Sequence, residues 1–323
     1  MLWREYLLIE FNHKPVMLKE VIEYLNIKSD GIYVDGTLGG AGHSIEIAKK
    51  LSNKGTLIGI DRDIEALNVA KKRLSTFKNI ELVHDNHDNI KNILKDLKIN
   101  SVDGILLDLG VSSYQLDEKI RGFSYLGSND LDMRMDQNQD LTAKKVVNEY
   151  SEEDLSRIFF DYGEEKFAKK IAKNIVKARN IKEICKTDEL VKIIEESIPK
   201  SKQHNGHPAK KVFQAIRIEV NNEIKPLYNT IMDCIDCLKD NGRLCVITFH
   251  SLEDRACKEA MQDAEGKCTC PKDLPYCVCN YISKGKVINK KPIISEKEEL
   301  NDNSRAKSAK LRVFEAKSSV NER

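Results

Sequence analysis

The chain has 323 residues, 41% of them hydrophobic and 32% charged, enough to bury one sizeable core and a second smaller one, so one or two domains are expected. Its formal charge of +2 excludes nucleic-acid binding by bulk charge and leaves local clusters, Lys210-Lys211 and the stretch Lys284 to Lys317, for such a role. No apolar run is long enough for a membrane span, the start MLWREYLLIE lacks a signal-peptide layout, and nine unevenly placed cysteines do not make a disulfide scaffold, so a soluble, cytoplasmic protein is expected.

Leu18, Val21, Ile22 and Leu25 recur at helical spacing and predict a first helix. Ile32-Tyr33-Val34 reads as a strand that ends in Asp35-Gly36-Thr37-Leu38-Gly39-Gly40-Ala41-Gly42-His43, followed by a helix carrying Ile45, Ala48 and Leu51. A second strand, Thr56 to Ile60, stops at Asp61 and passes into a helix with Ile64, Leu67, Ala70 and Leu74 on one face. Further strands fit Ile80 to Val83 and Asp103 to Asp108. This alternation predicts an α/β, doubly wound, mostly parallel sheet with helices on both faces.

From about Asn129 to His207 the pattern becomes helical and rich in Lys and Glu, with N-caps expected at Thr142, Ser151 and Thr187. The α/β pattern then resumes with a helix through Phe213, Ile216 and Val220. Another helix follows through Leu227, Ile231, Cys234 and Leu238, and then a strand from Arg243 to Phe249. A last strand, Ala309 to Phe314, is expected to add antiparallel at the sheet edge. The expected organisation is a discontinuous sheet domain, residues 11–128 and 209–323, interrupted by an all-helical insertion over 129–208.

A glycine-rich turn after the first strand lets a ligand approach the backbone, and the next helix start offers free amides. Asp61 at the second tip suits the two hydroxyls of an adenosine ribose, and Asp108 stands at the fourth. The plainer alternative is that the glycines only turn the chain and the aspartates only cap helices; three matched strand tips weigh against it. A dinucleotide needs G-x-G-x-x-G directly after the strand, whereas here Asp35 comes first. A carboxylate there repels a pyrophosphate but tolerates a cationic sulfonium, which favours S-adenosylmethionine over a nicotinamide cofactor. An NAD-dependent oxidoreductase is therefore the rival enzyme class, disfavoured also by the lack of a hydride-transfer residue set.

The motifs in order are FNHKPVML (11–18), VDGTLGGAGH (34–43), IDRD (60–63), DLGVSSYQLD (108–117), RGFS (121–124), LDMRMD (131–136), FQAIRIEVN (213–221), FHSLEDR (249–255) and SRAKSAKLRV (304–313). Over nearly the whole chain they resemble the bacterial 16S rRNA (cytosine-N4)-methyltransferase family of the MraW or RsmH type. The resemblance implies a seven-stranded class I methyltransferase sheet with a helical insertion. It also implies methyl transfer from S-adenosylmethionine to the exocyclic N4 amine of a cytosine in 16S rRNA, with the small ribosomal subunit as partner and no obligate protein partner or membrane. Carried over by position, the cofactor contacts fall on Ala41, Gly42, His43, Asp61, His87, Asp108 and Gln115. The chain departs from the pattern at His87, where relatives carry an aromatic residue, and at Lys211, where an arginine is usual and lysine loses the bidentate fork. The first ten residues precede the usual start of the family. A non-catalytic ribosome-assembly factor that keeps the fold is the rival binding reading, and the intact strand-tip aspartates argue against it.

Cytosine N4 is a poor nucleophile because its lone pair is delocalised, so acceptors for the amine protons are expected beside it. The loop Asp108-Leu109-Gly110-Val111-Ser112-Ser113 takes that place by analogy with amino-methyltransferases. Asp108, Ser112 and His250 are the catalytic candidates, with helix capping as the alternative for either serine. His250, Glu253 and Arg255 either line the base pocket or close the top of the sheet. Lys210, Lys211 and Arg217, and in the insertion Lys166, Lys169, Lys170, Lys173, Lys177 and Arg179, either meet RNA phosphate or form solvated faces. Cys268, Cys270, Cys277 and Cys279 have the pairing of a four-thiolate zinc site or are reduced loop thiols; the catalysis needs no metal.

Overall fold

Runs of aliphatic and β-branched residues bounded by glycines and acids set the strands, and burial on both faces explains why Val102 to Asp108 reads as continuous rather than alternating. The computed structural model describes residues 15–112, 121–203, 206–266 and 283–317. Its elements begin with α1 (Leu18–Tyr24), β1 (Ile32–Asp35), α2 (Gly42–Lys50), β2 (Thr56–Asp61), α3 (Ile64–Arg73), β3 (Ile80–His84), α4 (Ile90–Asp96) and β4 (Val102–Asp108). Among the described residues, five α-helices follow: α5 (Ala143–Glu149), α6 (Glu152–Asp161), α7 (Ala168–Arg179), α8 (Thr187–Ser197) and α9 (Lys210–Asn221). The chain closes with α10 (Leu227–Asp236), β5 (Leu238–Thr248), α11 (Ser251–Glu265), β6 (Gly285–Val287), α12 (Lys297–Asp302) and β7 (Lys310–Ala316). Two compact units emerge, residues 1–110 with 227–323, and residues 111–226.

The first unit holds a seven-stranded sheet in the order β3-β2-β1-β4-β5-β7-β6. Strands β1 to β5 run parallel, and β7 pairs antiparallel with β5. The chain moves outward from β1 to β3 and returns to lay β4 on the other side of β1, so the strand order reverses between β1 and β4. Ligands of doubly wound sheets bind at the carboxyl ends of the strands flanking such a reversal. Those ends carry Asp35 and Asp108. One face of the sheet, with Leu57, Leu106, Cys245 and Ile247, packs with Val21, Leu25 and Ile47 of α1 and α2. No helix among the described residues is long and apolar enough to cross a membrane.

Two strand expectations change. The last strand does not form the sheet edge: β6 covers it, with Lys286 opposite Glu315 and Val287 opposite Phe314. A three-residue strand carries too little pattern to be read from sequence, yet β7 buries Leu311, Val313 and Phe314 completely, and so apolar a strand left at an edge invites mispairing. Strand β5 starts at Leu238 rather than Arg243, across an irregularity in its register with β4.

The second unit packs α5 to α9 around Phe123, Leu131, Met133, Val146, Ile158, Phe159, Ile171, Ile194, Phe213 and Ile216. Thr142 and Ser151 cap their helices as expected, accepting hydrogen bonds from Lys145 N and Asp154 N. Thr187 does not. Its hydroxyl donates to Gly127 O and accepts from Asn129 N, at 2.9 and 3.0 Å, and the cap position falls to Lys186, whose amide donates to Glu189. The expected boundaries, 129–208 for the insertion, also shift. Helix α9, read as part of the sheet domain, belongs to the helical unit, because Val212, Phe213, Ala215, Ile216 and Val220 lie in its core. The LDMRMD motif serves this unit too: Asn221 accepts from Met135 N and donates to Met133 O, both at 2.8 Å, which holds Met133 in a left-handed conformation at φ 60.

Candidate active site

The turn after β1 is shaped by close backbone approach. A Cβ added at Gly36 would stand 2.5 Å from a Leu107 methyl and 3.2 Å from the His87 Cβ, so a side chain there would have to push its neighbours aside. Gly39 has φ 48 and Ala41, the residue before α2, has φ 59. A non-glycine residue in that region is strained by roughly 1–2 kcal/mol, and such strain concentrates at functional sites. The turn is pinned from the neighbouring tips. Asp61 accepts Gly39 N at 2.7 Å through one oxygen and Asp63 N at 2.8 Å through the other. Thr37 Oγ1 accepts the Asp108 amide at 2.6 Å. Asp35, 1% exposed, accepts Thr37 N at 3.2 Å and the Ser44 hydroxyl at 2.7 Å.

These acids are crowded and poorly solvated, which disfavours their charged forms. Burial pushes the Asp35 carboxyl up to about 6 against the help of Ser44 and Thr37. Burial also raises Asp61, opposed by the Asp63 and Gly39 amides. Asp108 is raised furthest, by burial first and then by the charges of Asp35 and Glu253. Its Oδ1 is buried with no hydrogen-bond partner among the described residues. Glu253 of α11, 2% exposed, accepts Phe249 N at 2.7 Å and His250 N at 3.3 Å. The turn after β4 reaches the same place, since a Cβ on Gly110 would lie 3.7 Å from Phe249 and 3.9 Å from Glu253. Buried carboxyls at a sheet's reversal point, one with an unused oxygen, are a receptacle for a cationic or amine-bearing ligand.

The sequence matches the MraW methylase family over residues 10–317. The chain belongs to that family. Among its relatives, the Ribosomal RNA small subunit methyltransferase H of Lachnospira eligens is 57% identical over 310 residues, spanning 95% of this chain and 98% of its own length. The protein of the same name, numbered 2, from Agathobacter rectalis is 56% identical, spanning 95% and 99%. The one from Clostridium botulinum strain Loch Maree is 55% identical over 305 residues, spanning 94% and 99%. Membership makes the chain a methyltransferase, and its mostly parallel seven-stranded sheet with helices on both faces is the class I arrangement expected from the resemblance.

Of the residues expected at the site of this methylase, Ala41, Gly42 and His43 form the turn and first helical positions beside Asp35. His43 is 6% exposed; its Nε2 lies 2.9 Å from Val16 O and its Nδ1 3.7 Å from Asp108 Oδ2. Burial lowers its pKa to about 4, so the ring is neutral. His87 sits in the short turn after β3, with its Cβ 3.2 Å from where a Gly36 Cβ would be. Burial lowers it to about 4 as well, and a neutral imidazole presents a flat face of the kind an aromatic residue offers a nucleobase. Asp61 is brought to the turn, but as a latch on its amides as well as a free-lone-pair acceptor. Ser112 is grouped with the helical unit. His250 caps α11: its Nδ1 faces Glu253 N at 3.5 Å, and its Nε2 lies 2.9 Å from Glu253 Oε1, out of line for a hydrogen bond. Gln115, Ser113 and the cysteines Cys268, Cys270, Cys277 and Cys279 lie outside the described residues. Sequence reasoning missed Thr37 and Ser44 altogether. Their signal is faint, a hydroxyl inside the glycine turn and another on the first turn of α2.

Proposed function

We propose that this methylase transfers a methyl group from S-adenosylmethionine to the exocyclic N4 amine of a cytosine in small-subunit (16S) rRNA, acting in the cytoplasm on the RNA or the small ribosomal subunit. The observation that carries the reading is the Asp108 carboxyl, buried at the reversal point with an Oδ1 that has no hydrogen-bond partner among the described residues, beside a glycine turn braced by Asp61. The residues fit the cofactor. Asp35 and Asp108 suit its cationic end, the remaining lone pairs of Asp61 suit a ribose diol, Gly42 and His43 bring backbone amides to the start of α2 behind the turn that Ala41 closes, and His87 flanks it.

Bound there, S-adenosylmethionine would supply an activated methyl group on a sulfonium leaving group. The chain's own residues position the acceptor and remove its proton. Asp108 Oδ1 accepts a hydrogen bond from the amine, localises the nitrogen lone pair, and then takes the proton that the methylated nitrogen releases. Ser112 and His250 were candidates for the same task; the place of His250 as the cap of α11 favours Asp108.

For RNA recognition we assign the helical unit. Lys169, Lys170, Lys173 and Lys177 are exposed on α7, away from the buried Ile171 and Ile175, a face suited to phosphate. Arg179 and Arg217 do not join it. Arg179 donates to Val147 O and Tyr150 O, and Arg217 makes a two-pronged pair with Glu223 at 2.9 and 2.8 Å.

The test is incubation with methyl-labelled S-adenosylmethionine and small subunits or 16S rRNA lacking the modification, followed by nucleoside mass spectrometry. N4-methylcytidine is expected from the wild type and not from Asp108→Ala. Label in any other nucleoside, or none, refutes the assignment.

A further inference from the structure

His43 belongs to the glycine turn, where the family resemblance gives it a place beside the cofactor, yet its ring points elsewhere. Nε2 lies 2.9 Å from the carbonyl oxygen of Val16. A carbonyl only accepts, so Nε2 carries the ring hydrogen. The ring is buried and neutral, so Nδ1 has a bare lone pair. That lone pair faces Asp108 Oδ2 at 3.7 Å, the oxygen opposite the unpartnered Oδ1. Two acceptors face each other there, and the arrangement becomes attractive only when the carboxyl carries a proton.

We infer that His43 is a positioning residue for Asp108, its Nδ1 accepting the carboxyl hydrogen after Asp108 has taken a proton from the methyl acceptor. This deepens the proposed function and rests on it. The balance is simple. The amine N–H bond breaks as an O–H bond forms on the Asp108 oxygen facing the acceptor. A half-turn about Cβ–Cγ exchanges the two carboxyl oxygens and hands the new O–H to Nδ1. The proton then leaves to water once the product has departed. Val16 holds the tautomer fixed throughout, as a ring oriented by its second nitrogen does in acid–base sites generally. Among the described residues, the charged or titratable groups facing Asp108 are Asp35 from β1, Glu253 from α11 and His43 from α2. Of these, His43 is an acceptor that stays neutral through the ordinary carboxylate range and above it.

Two variants separate this role from mere packing. His43→Gln keeps a donor for Val16 O but loses the acceptor at the Nδ1 position, whereas His43→Asn places an amide oxygen near it. For His43→Gln we expect kcat to fall about tenfold or more, with cofactor Kd within about threefold of wild type. The acid limb of its kcat–pH profile should move to lower pH, because a protonated Asp108 is no longer stabilised. His43→Asn should recover part of the loss. Unchanged kcat in His43→Gln, or equal losses in both variants with weakened cofactor binding and lowered Tm, overturns the inference. A second readout does not depend on turnover. In ¹⁵N NMR of the free protein, His43 should show a protonated Nε2 and a bare Nδ1 whose shift moves on Asp108→Leu; an Nδ1–H tautomer overturns the inference. If wild type makes no N4-methylcytidine while the NMR result holds, the acceptor assignment fails and the His43–Asp108 pairing stands.

Discussion

Asp35→Asn probes whether the crevice acids are charged at the expense of the fold. The side chains are nearly isosteric: the Asn carbonyl can accept Thr37 N and its amide can donate to Ser44 Oγ, so both hydrogen bonds survive. What changes is titration. The carboxyl of Asp35 is raised from 3.8 to about 6 by burial, so the native state holds its proton where the unfolded chain has lost it. Stability therefore falls as pH rises through that window, the reverse of a salt-bridged aspartate. Below pH 3.8 both states are protonated and nothing is contributed. A gap of about 2 pH units at about 1.4 kcal/mol each amounts to a penalty of about 3 kcal/mol, complete above about pH 7. Urea unfolding of wild type and Asp35→Asn from about pH 4 to 8 should show near-equal stabilities at the acid end and a growing advantage for the variant, up to about 3 kcal/mol. The charge matters for function in the opposite sense. Titration calorimetry at about pH 8 should find S-adenosylmethionine weakened roughly tenfold in the variant, with S-adenosylhomocysteine, whose sulfur is neutral, affected less. A stability difference that stays flat across the pH range refutes the account of the buried carboxyl, and equal weakening of both ligands refutes its role toward the sulfonium.

Asp61→Ala strips the acceptor from Gly39 N and Asp63 N and should lower cofactor affinity ten- to a hundredfold, about 1.5–3 kcal/mol; calorimetry on a folded variant with unchanged affinity would sink the assignment. Reversing Lys169, Lys170, Lys173 and Lys177 to Glu should weaken RNA binding and flatten its salt dependence while leaving cofactor affinity alone, measured by filter binding across a salt series. Asn221→Leu removes the hydrogen bonds that Asn221 makes with Met135 N and Met133 O and should destabilise the helical unit by about 2–4 kcal/mol, seen as a lowered Tm.

Much of this protein was legible along the chain. The parallel strands, the helices between them and the acids at the strand tips follow from local information: apolar period, glycine punctuation and a carboxylate where a strand ends. Asp61 and Asp108 needed nothing more, and Thr142 and Ser151 cap by contacts three residues away. The rest depended on partners far off in sequence. The stripe of α9 specified which face is buried but not against what, and only the fold placed Phe213 and Ile216 beside Ile158. Thr187 has the right chemistry for a cap, yet Gly127 O and Asn129 N claimed its hydroxyl from 60 and 58 residues away. The working geometry of the site is of the same kind. The Thr37 hydroxyl meets the Asp108 amide across 71 residues, and His43 takes its tautomer from Val16 across 27. Residue type determines what a side chain can donate or accept; only tertiary packing decides which donor it meets, because that choice is made in space rather than along the chain.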